Sequence, residues 1–314
     1  MVLASSAHNG TFAARTAAAT AGADAGYGGC DILVADVHAQ IRQENRATML
    51  PHIQDLTTYL IDLDGVVYRG ETLIPGAKEF IDWLDANQKK YLFLTNNSFA
   101  SESQVVAKLA RLGIATDKSH VMGAAQAAVQ SIEHRYPGAS VYVIGEQPLF
   151  DLVNEHHLKV ANEDWHSADV VFVGLDRAFD YKKLTESILA IRKGATFIAI
   201  NRDPLLPIAG GELTAGCGTM VAAIEAGSET TPEVIGKPEP ALLQEAMRKL
   251  QSTPAETVMI GDNLGVDIKA GIAAETLTML VFSGKDTPDS LAKSTLKPDY
   301  IYEDLAAVMQ ELKR

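Results

Sequence analysis

Residues 59–68 read Tyr-Leu-Ile-Asp-Leu-Asp-Gly-Val-Val-Tyr, an apolar strand that runs straight into two carboxylates and a glycine. On an extended strand the side chains at i and i+2 point the same way. Asp62 and Asp64 are therefore expected side by side, one pleat apart, at the strand's carboxyl end. Two like charges that close repel unless a cation or a shared proton intervenes. The simplest partner is Mg²⁺, a hard ion that takes carboxylate oxygens. A strand ending in a polar turn is the plainer alternative, and the rest of the chain has to decide between them.

Beyond the aspartates the chain alternates strand and helix. GVVYRGETLIPG (65–76) reads as a loop or small hairpin beside the carboxylates. Residues 77–88 carry Phe80, Ile81, Trp83 and Leu84 at helical spacing, and 91–95 form a second apolar strand that ends in Thr95-Asn96-Asn97-Ser98. Ser101 and Gln104 make a capping box for a helix to about Leu112, stopped by Gly113. This is the βαβ pattern of a parallel sheet, whose ligands sit outside the carboxyl ends of the strands. Both polar clusters, Asp62/Asp64 and Thr95–Ser98, fall there.

From about Pro137 a second series begins, with strands at 141–144, 169–174 and 196–200 and helices at 147–156, 181–192 and 219–226. It contains no second Asp-x-Asp and is expected to be an inserted α/β domain over 137–232. The first series is expected to resume with a short strand at Val234, then Gly236-Lys237-Pro238 and a helix to Leu250. A strand at 257–263 again ends in a carboxylate, Asp262, and a helix over 264–273 carries Asp267 in its first turn. Strands at 277–282 and 299–302 and a helix at 305–312 close the chain. The fold class is α/β, with the main domain over 51–136 and 233–314.

At 314 residues the chain is long for one core, which fits two domains. A net charge of −13 makes a nucleic-acid backbone an unfavourable partner and leaves a small anionic substrate in need of local cations or metal. No apolar run approaches the roughly 20 residues of a membrane span. Cys30 and Cys217 form no ligand-like cluster, and a reducing, cytoplasmic location is expected. Residues 1–30 are rich in Ala, Thr, Ser and Gly, with only Arg15 basic before Asp24, which fits neither a transit peptide nor a secretory signal. A disordered extension over 1–50 is expected, with 31–48 as a candidate short helix and Met49 as a candidate functional start.

Four strand-end signals now stand in order: DLDGV at 62–66, TNNS at 95–98, GKP at 236–238 and GDNLGVD at 261–267. Together they form a coherent phosphoryl-transfer set. Asp62 and Asp64 with Asp262 supply carboxylate oxygens for one Mg²⁺. Thr95 offers a hydroxyl and neighbouring backbone N–H groups to phosphate, and Lys237 is a mobile point charge suited to phosphate and carboxylate alike. Taken singly, each has a plainer reading: a capping threonine, a solvated lysine, helix-start carboxylates at Asp262 and Asp267.

The four motifs resemble those of the haloacid dehalogenase (HAD) superfamily, most closely its NagD-like (subfamily IIA) phosphatases. VIGKPEP, VIGDNLGVDIKAG and LVFSG look like that subfamily, as do GLDRAFDYKKL and GATFIAINRD within the insert; the similarity runs from about Thr57 to the C-terminus. The resemblance implies a Rossmann-like parallel-sheet core with an inserted α/β cap. About 30 residues separate Asp64 from Thr95 and about 140 separate Thr95 from Lys237, so the cap falls at the second insertion point (C2 type). It also implies a Mg²⁺-dependent hydrolase of small phosphomonoesters. Asp62 matches the nucleophile that becomes an aspartyl phosphate, and Asp64 the general acid and then base. Asp62, the Asp64 main-chain carbonyl and Asp262 match the metal ligands, with Asp267 supporting them from behind. Thr95 and Asn96 match the phosphate-holding motif, Lys237 the bridging cation, and Asn263 is a candidate substrate contact.

Elsewhere the plain readings are expected to hold: Cys217 as a packed residue, His156-His157 facing solvent. Asn201, Arg202 and Asp203 are candidate lining of the substrate mouth. Where relatives commonly have Ala-Gly after the last helix, this chain has Ala274-Glu275, at a turn where glycine is the easier residue. A cap should exclude folded phosphoproteins and admit small phosphorylated metabolites, and its exposed surface could pair two copies into a homodimer. A dehalogenase would not need Asp64, and a phosphomutase usually carries its lid earlier. The rival of a different class is a catalytically silent, phosphometabolite-binding regulator on the same fold.

Overall fold

The computed structural model describes residues 50–96, 101–207 and 212–313. The expected extension (save its last residue), the 31–48 helix, Met49, Cys30, Asn97 and Ser98 lie outside the described residues. In chain order the strands are β1 (Thr58–Asp62), the β2–β3 hairpin (Tyr68–Arg69 and Thr72–Leu73), β4 (Lys90–Thr95), β5 (Val121–Gly123), β6 (Ser140–Ile144), β7 (Lys159–Val160), β8 (Val170–Val173), β9 (Thr196–Ala199), the β10–β11 hairpin (Leu205–Pro207 and Leu213–Ala215), β12 (Glu233–Val234), β13 (Thr257–Gly261), β14 (Leu277–Val281) and β15 (Tyr300–Tyr302). The helices are α1 (Ala77–Ala86), α2 (Glu102–Arg111), α3 (Ala124–Arg135), α4 (Gln147–Glu155), α5 (Tyr181–Arg192), α6 (Cys217–Ser228), α7 (Ala241–Leu250), α8 (Lys269–Ala273), α9 (Pro288–Lys293) and α10 (Leu305–Leu312).

Two parallel sheets result. One has the order β15-β14-β13-β1-β4-β5 and the other β12-β9-β8-β6-β7. The apolar run of β1 follows from burial on both faces. Tyr59 and Ile61 pack with Phe80, Ile81 and Leu84 of α1, while Leu60 points into a different cluster on the opposite face. In the first sheet the chain leaves β1 for β4 on one side and later returns to β13 on the other. The order therefore reverses between β1 and β13, and a crevice opens at such a switch point outside the strand ends.

The sequence pattern missed β5 and α3, and their position explains why. Ala124, Ala127, Ala128, Ser131 and Ile132 of α3 are buried at helical spacing with Val129 beside them, but the first four are small residues, so the stripe carries little apolar signal in the sequence. Its residues join Leu60, Leu92 and Leu94 of the first sheet to Val141, Val143, Val170, Phe172 and Ile198 of the second in one apolar cluster. Residues 51–314 accordingly form one compact unit that holds both sheets. A second correction concerns Val234. Rather than reopening the first series, β12 pairs in parallel with β9, Glu233 opposite Ile198 and Val234 opposite Ala199. The pairing runs on past the strand, Ile235 N to Ala199 O at 3.0 Å and Gly236 N to Ile200 O at 2.8 Å. The second sheet thus ends one residue before Lys237.

Candidate active site

β1 ends at Asp62, and Asp64 lies beyond it in a tight turn where the amides of Val67 and Tyr68 both donate to Leu63 O. The strand alternation expected to align the two aspartates has therefore already ended, and the Asp64 side chain is exposed in the turn. The carboxylates brought together are those of Asp62, Asp262 and Asp267, with oxygens all within 4.8 Å of one another. Asp267 thus takes the place in this cluster that the sequence pattern gives to the Asp64 side chain. The backbone after β13 explains the geometry: residues 264–268 form a widened turn in which both Asp267 N and Ile268 N reach Asn263 O. That turn brings Asp267 back onto Gly261, where an added Cβ would stand 2.0 Å from the Asp267 Cβ.

Lys237 stands among these acids. Its ammonium donates to Asp62 Oδ1 at 2.5 Å and to Asp267 Oδ1 at 2.8 Å, and its side chain is 1% exposed. Burial alone would lower its pKa, but the charges of Asp267 and Asp62 more than reverse this, so the lysine is held protonated. Burial pushes the Asp62 carboxyl up to about 7 against the pull of Lys237, and the neighbouring Asp267 and Asp262 add to the rise. Asp262 is raised as well, by burial first and then by Asp267, against the amide of Lys285. Three carboxylates share one ammonium. A hard divalent cation fits such a set: its oxygens are gathered, partly buried and short of positive charge.

The Lys237 backbone is fixed from the neighbouring strand end. Asn96, just after β4, donates from Nδ2 to Lys237 O at 2.6 Å and accepts Lys237 N on Oδ1 at 2.9 Å. Its amide is thus engaged with the lysine at both ends. Thr95 is buried at the last position of β4. Asn263, the candidate substrate contact, caps the widened turn, its Oδ1 accepting Gly265 N at 3.0 Å.

The loop after β14 enters the sequence reading only through a family resemblance, yet it closes the site. Lys285 N donates to Asp262 Oδ2 at 2.6 Å, Asp286 Oδ2 accepts Leu264 N at 2.6 Å, and Ser283 Oγ donates to Gly65 O at 2.7 Å. Two glycines make the approach possible. Gly65 has φ 89°, and a Cβ there would lie 2.3 Å from Asp262 Oδ2; at Gly284 it would lie 1.8 Å away. These contacts come largely from main-chain donors, which side-chain motifs do not show.

In the second sheet Cys217 is buried as expected, with its thiol toward Val173 O at 3.7 Å. Asn201 is buried and its Oδ1 accepts Asp203 N, while Arg202 forms a two-point pair with Glu225. His157 is exposed, but His156 is half-buried and meets Glu133 at 2.7 Å, because the helix end folds back against α3. Glu275 has φ 61°, at the turn where glycine would be easier. Among the described residues no helix is long and apolar enough to cross a membrane.

With this geometry in place, two family models match: haloacid dehalogenase-like hydrolase over residues 59–159 and HAD-hydrolase-like over 234–308. An acid sugar phosphatase of Staphylococcus aureus is 36% identical over 82% of this chain and 98% of its own length. NagD of E. coli K-12 superposes with a TM-score of 0.72 at 29% identity, covering 80% of this chain and 97% of NagD. A variant of the thermostable p-nitrophenylphosphatase of Bacillus stearothermophilus superposes with a TM-score of 0.73 at 37% identity, over 80% and 97% of the two chains. The chain belongs to the haloacid dehalogenase-like hydrolases, within their NagD-like subfamily IIA, and is a phosphatase of that superfamily.

Proposed function

We propose that the chain hydrolyses small phosphomonoesters in a Mg²⁺-dependent reaction through an aspartyl phosphate on Asp62. The observation that carries this reading is the arrangement of Asp62, Asp262 and Asp267 around the buried Lys237 ammonium. Asp62 and Asp262, with the Asp64 main-chain carbonyl, are the ligands that would hold the ion, and Asp267 would steady Lys237 beside them. When bound, Mg²⁺ would offset the repulsion between nucleophile and phosphate dianion and stabilise charge in transfer.

The chain's own groups account for the rest. An Asp62 oxygen attacks phosphorus in line, the bond from phosphorus to the ester oxygen breaks, and Asp64 gives its proton to the departing alkoxide. Asp64 then takes a proton from water, whose oxygen attacks the phosphorus, and the acyl phosphate opens to inorganic phosphate and the free Asp62 carboxylate. The exposed turn suits Asp64 to this task, since it must meet both a leaving group and water. Lys237 and Thr95 hold the phosphate oxygens, and Asn96 sets the lysine's backbone.

The second sheet, over 137–232 with β12 added, is read as the cap. The names of the relatives favour sugar phosphates within a class that includes nucleoside monophosphates and phosphoglycolate. The test is hydrolysis of p-nitrophenyl phosphate and a phosphate-ester panel with Mg²⁺, with EDTA, and by Asp62→Asn. Turnover that survives EDTA or Asp62→Asn would sink the reading. A wild type inert on the whole panel would instead favour a silent metabolite-binding regulator.

A further inference from the structure

Ser283 joins three parts of the site that the motifs treat separately. Its hydroxyl donates to Gly65 O at 2.7 Å, one residue after Asp64. Its own carbonyl accepts the Arg69 guanidinium from the β2–β3 hairpin. Two residues on, Lys285 N donates to Asp262 Oδ2 at 2.6 Å, and Asp286 N reaches Asp262 O at 3.0 Å. Asp286 also receives Leu264 N at 2.6 Å and the Ser290 hydroxyl at 2.7 Å, so the far end of the loop is tied to the turn that carries Asp267. The Asp64 turn is packed against the same loop, since a Cβ on Gly65 would stand 3.1 Å from Gly284 Cα.

We infer that Ser283 is a positioning residue. Through its bond to Gly65 it sets the Asp64 turn, and through the loop it anchors it sets the Asp262 carboxylate, so proton transfer and metal binding share one register. Arg69 steadies the clasp from the hairpin side. The β1–β13 pairing, with Ile61 opposite Ile260, ends before Asp64, which sits on a short turn outside the strand; the Ser283–Gly65 bond spans the remaining gap. Small misplacements of a group that must meet a reacting atom cost rate steeply. A single neutral hydrogen bond has a small net effect on folding, so its loss should be read in chemistry rather than in unfolding.

The inference rests on the proposed function, its kinetic arm on ester hydrolysis and its calorimetric arm on the Mg²⁺ site. Ser283→Ala is expected to lower kcat on p-nitrophenyl phosphate about tenfold with KM within about twofold. It should also weaken Mg²⁺ binding to the metal-free protein several-fold by titration calorimetry. Ser283→Thr keeps the hydroxyl and should restore both. Arg69→Ala, at an exposed side chain, should shift both in the same direction by less and covers the case in which Ser283→Ala does not fold. Wild-type kcat and Mg²⁺ affinity in Ser283→Ala would overturn the inference, as would a loss that Ser283→Thr fails to restore. If the wild type is inert on every ester, the phosphatase reading fails but the calorimetric arm still decides: unchanged affinity in Ser283→Ala refutes the clasp, and weakened affinity with rescue by threonine supports it.

Discussion

The two parallel sheets have the same construction and opposite electrostatics. At the carboxyl ends of the second sheet three ion pairs form, Arg177 with Glu146 at 2.7 Å, Lys183 with Asp176 at 2.6 Å, and Arg202 with Glu225 at 2.8 Å, and among the described residues the acids there are not clustered. At the carboxyl ends of the first, three carboxylates gather beside a single ammonium, Lys237, which pairs with two of them. Folding alone gives no reason to gather three acids around one cation, because each partly buried carboxylate carries a desolvation cost. The architecture is therefore neutral with respect to chemistry, and the uncompensated charge marks where the chemistry lies.

The largest effect expected from this contrast is on turnover. Asp62→Asn should lower kcat by on the order of 10⁴-fold or more, since it removes the attacking oxygen's charge. The matching change in the second sheet is Lys183→Met, which strands Asp176 at 4% exposure. It should cost about 1–3 kcal/mol of stability in urea unfolding and leave kcat unchanged. A tenfold fall in kcat for Lys183→Met would break the distinction between the sheets.

A second effect sharpens it. If the acids of the first sheet await a cation, saturating Mg²⁺ should stabilise the fold by about 2.7 kcal/mol at a hundred times its Kd. Scanning fluorimetry should register this as a rise in Tm that Asp262→Asn abolishes. An Asp262→Asn protein with the full shift would mean that the ion binds elsewhere.

Much of the site is legible from residue order. Asp62 and Thr95 end strands, and Asp262 follows one, that local pattern can identify, and the parallel first sheet brings these ends together; Lys237 follows a short strand that belongs to the second sheet. Local pattern fails where the decisive contact is distant. Helix α3 is buried by two sheets that the sequence does not show to be neighbours, and its buried stripe is mostly alanine and serine, which give little apolar signal. Val234 joins the second sheet, as part of β12 beside β9, through two residues of pairing that no periodicity encodes. Asp267 joins the cluster because the turn after Asp262 is widened, where the pattern predicts a regular helix. The loop at 283–286 acts largely through Lys285 N, Ser283 O and Asp286 N, groups common to every residue.

Glycine substitutions test how closely the first sheet's acids are held. Gly284→Ala places a Cβ 1.8 Å from Asp262 Oδ2, so the carboxylate or the loop must move. Mg²⁺ affinity and kcat should each fall about tenfold or more. Gly145→Ala in the second sheet meets Leu149 Cδ2 at 2.5 Å, the end of a flexible side chain. It should cost about 1–3 kcal/mol by overpacking, with kinetics unchanged. Equal kinetic losses from the two would show that strain anywhere is transmitted to the site.

The smallest expected effect concerns Cys217, at the start of α6 where a helix N-terminus could favour a thiolate. Burial works the other way and pushes the thiol up to about 12, with Asp203 adding to the rise against a hydrogen bond from the Asn201 backbone. Roughly one molecule in 10⁴ would then carry the thiolate at pH 8, rising about tenfold for each further pH unit. In a Cys30→Ser background the native protein should resist iodoacetamide at pH 8 and react fully once unfolded in urea. Rapid native alkylation would mean that the second sheet keeps an activated group at its strand ends, and the contrast with the first sheet would no longer be one of paired against unpaired charge.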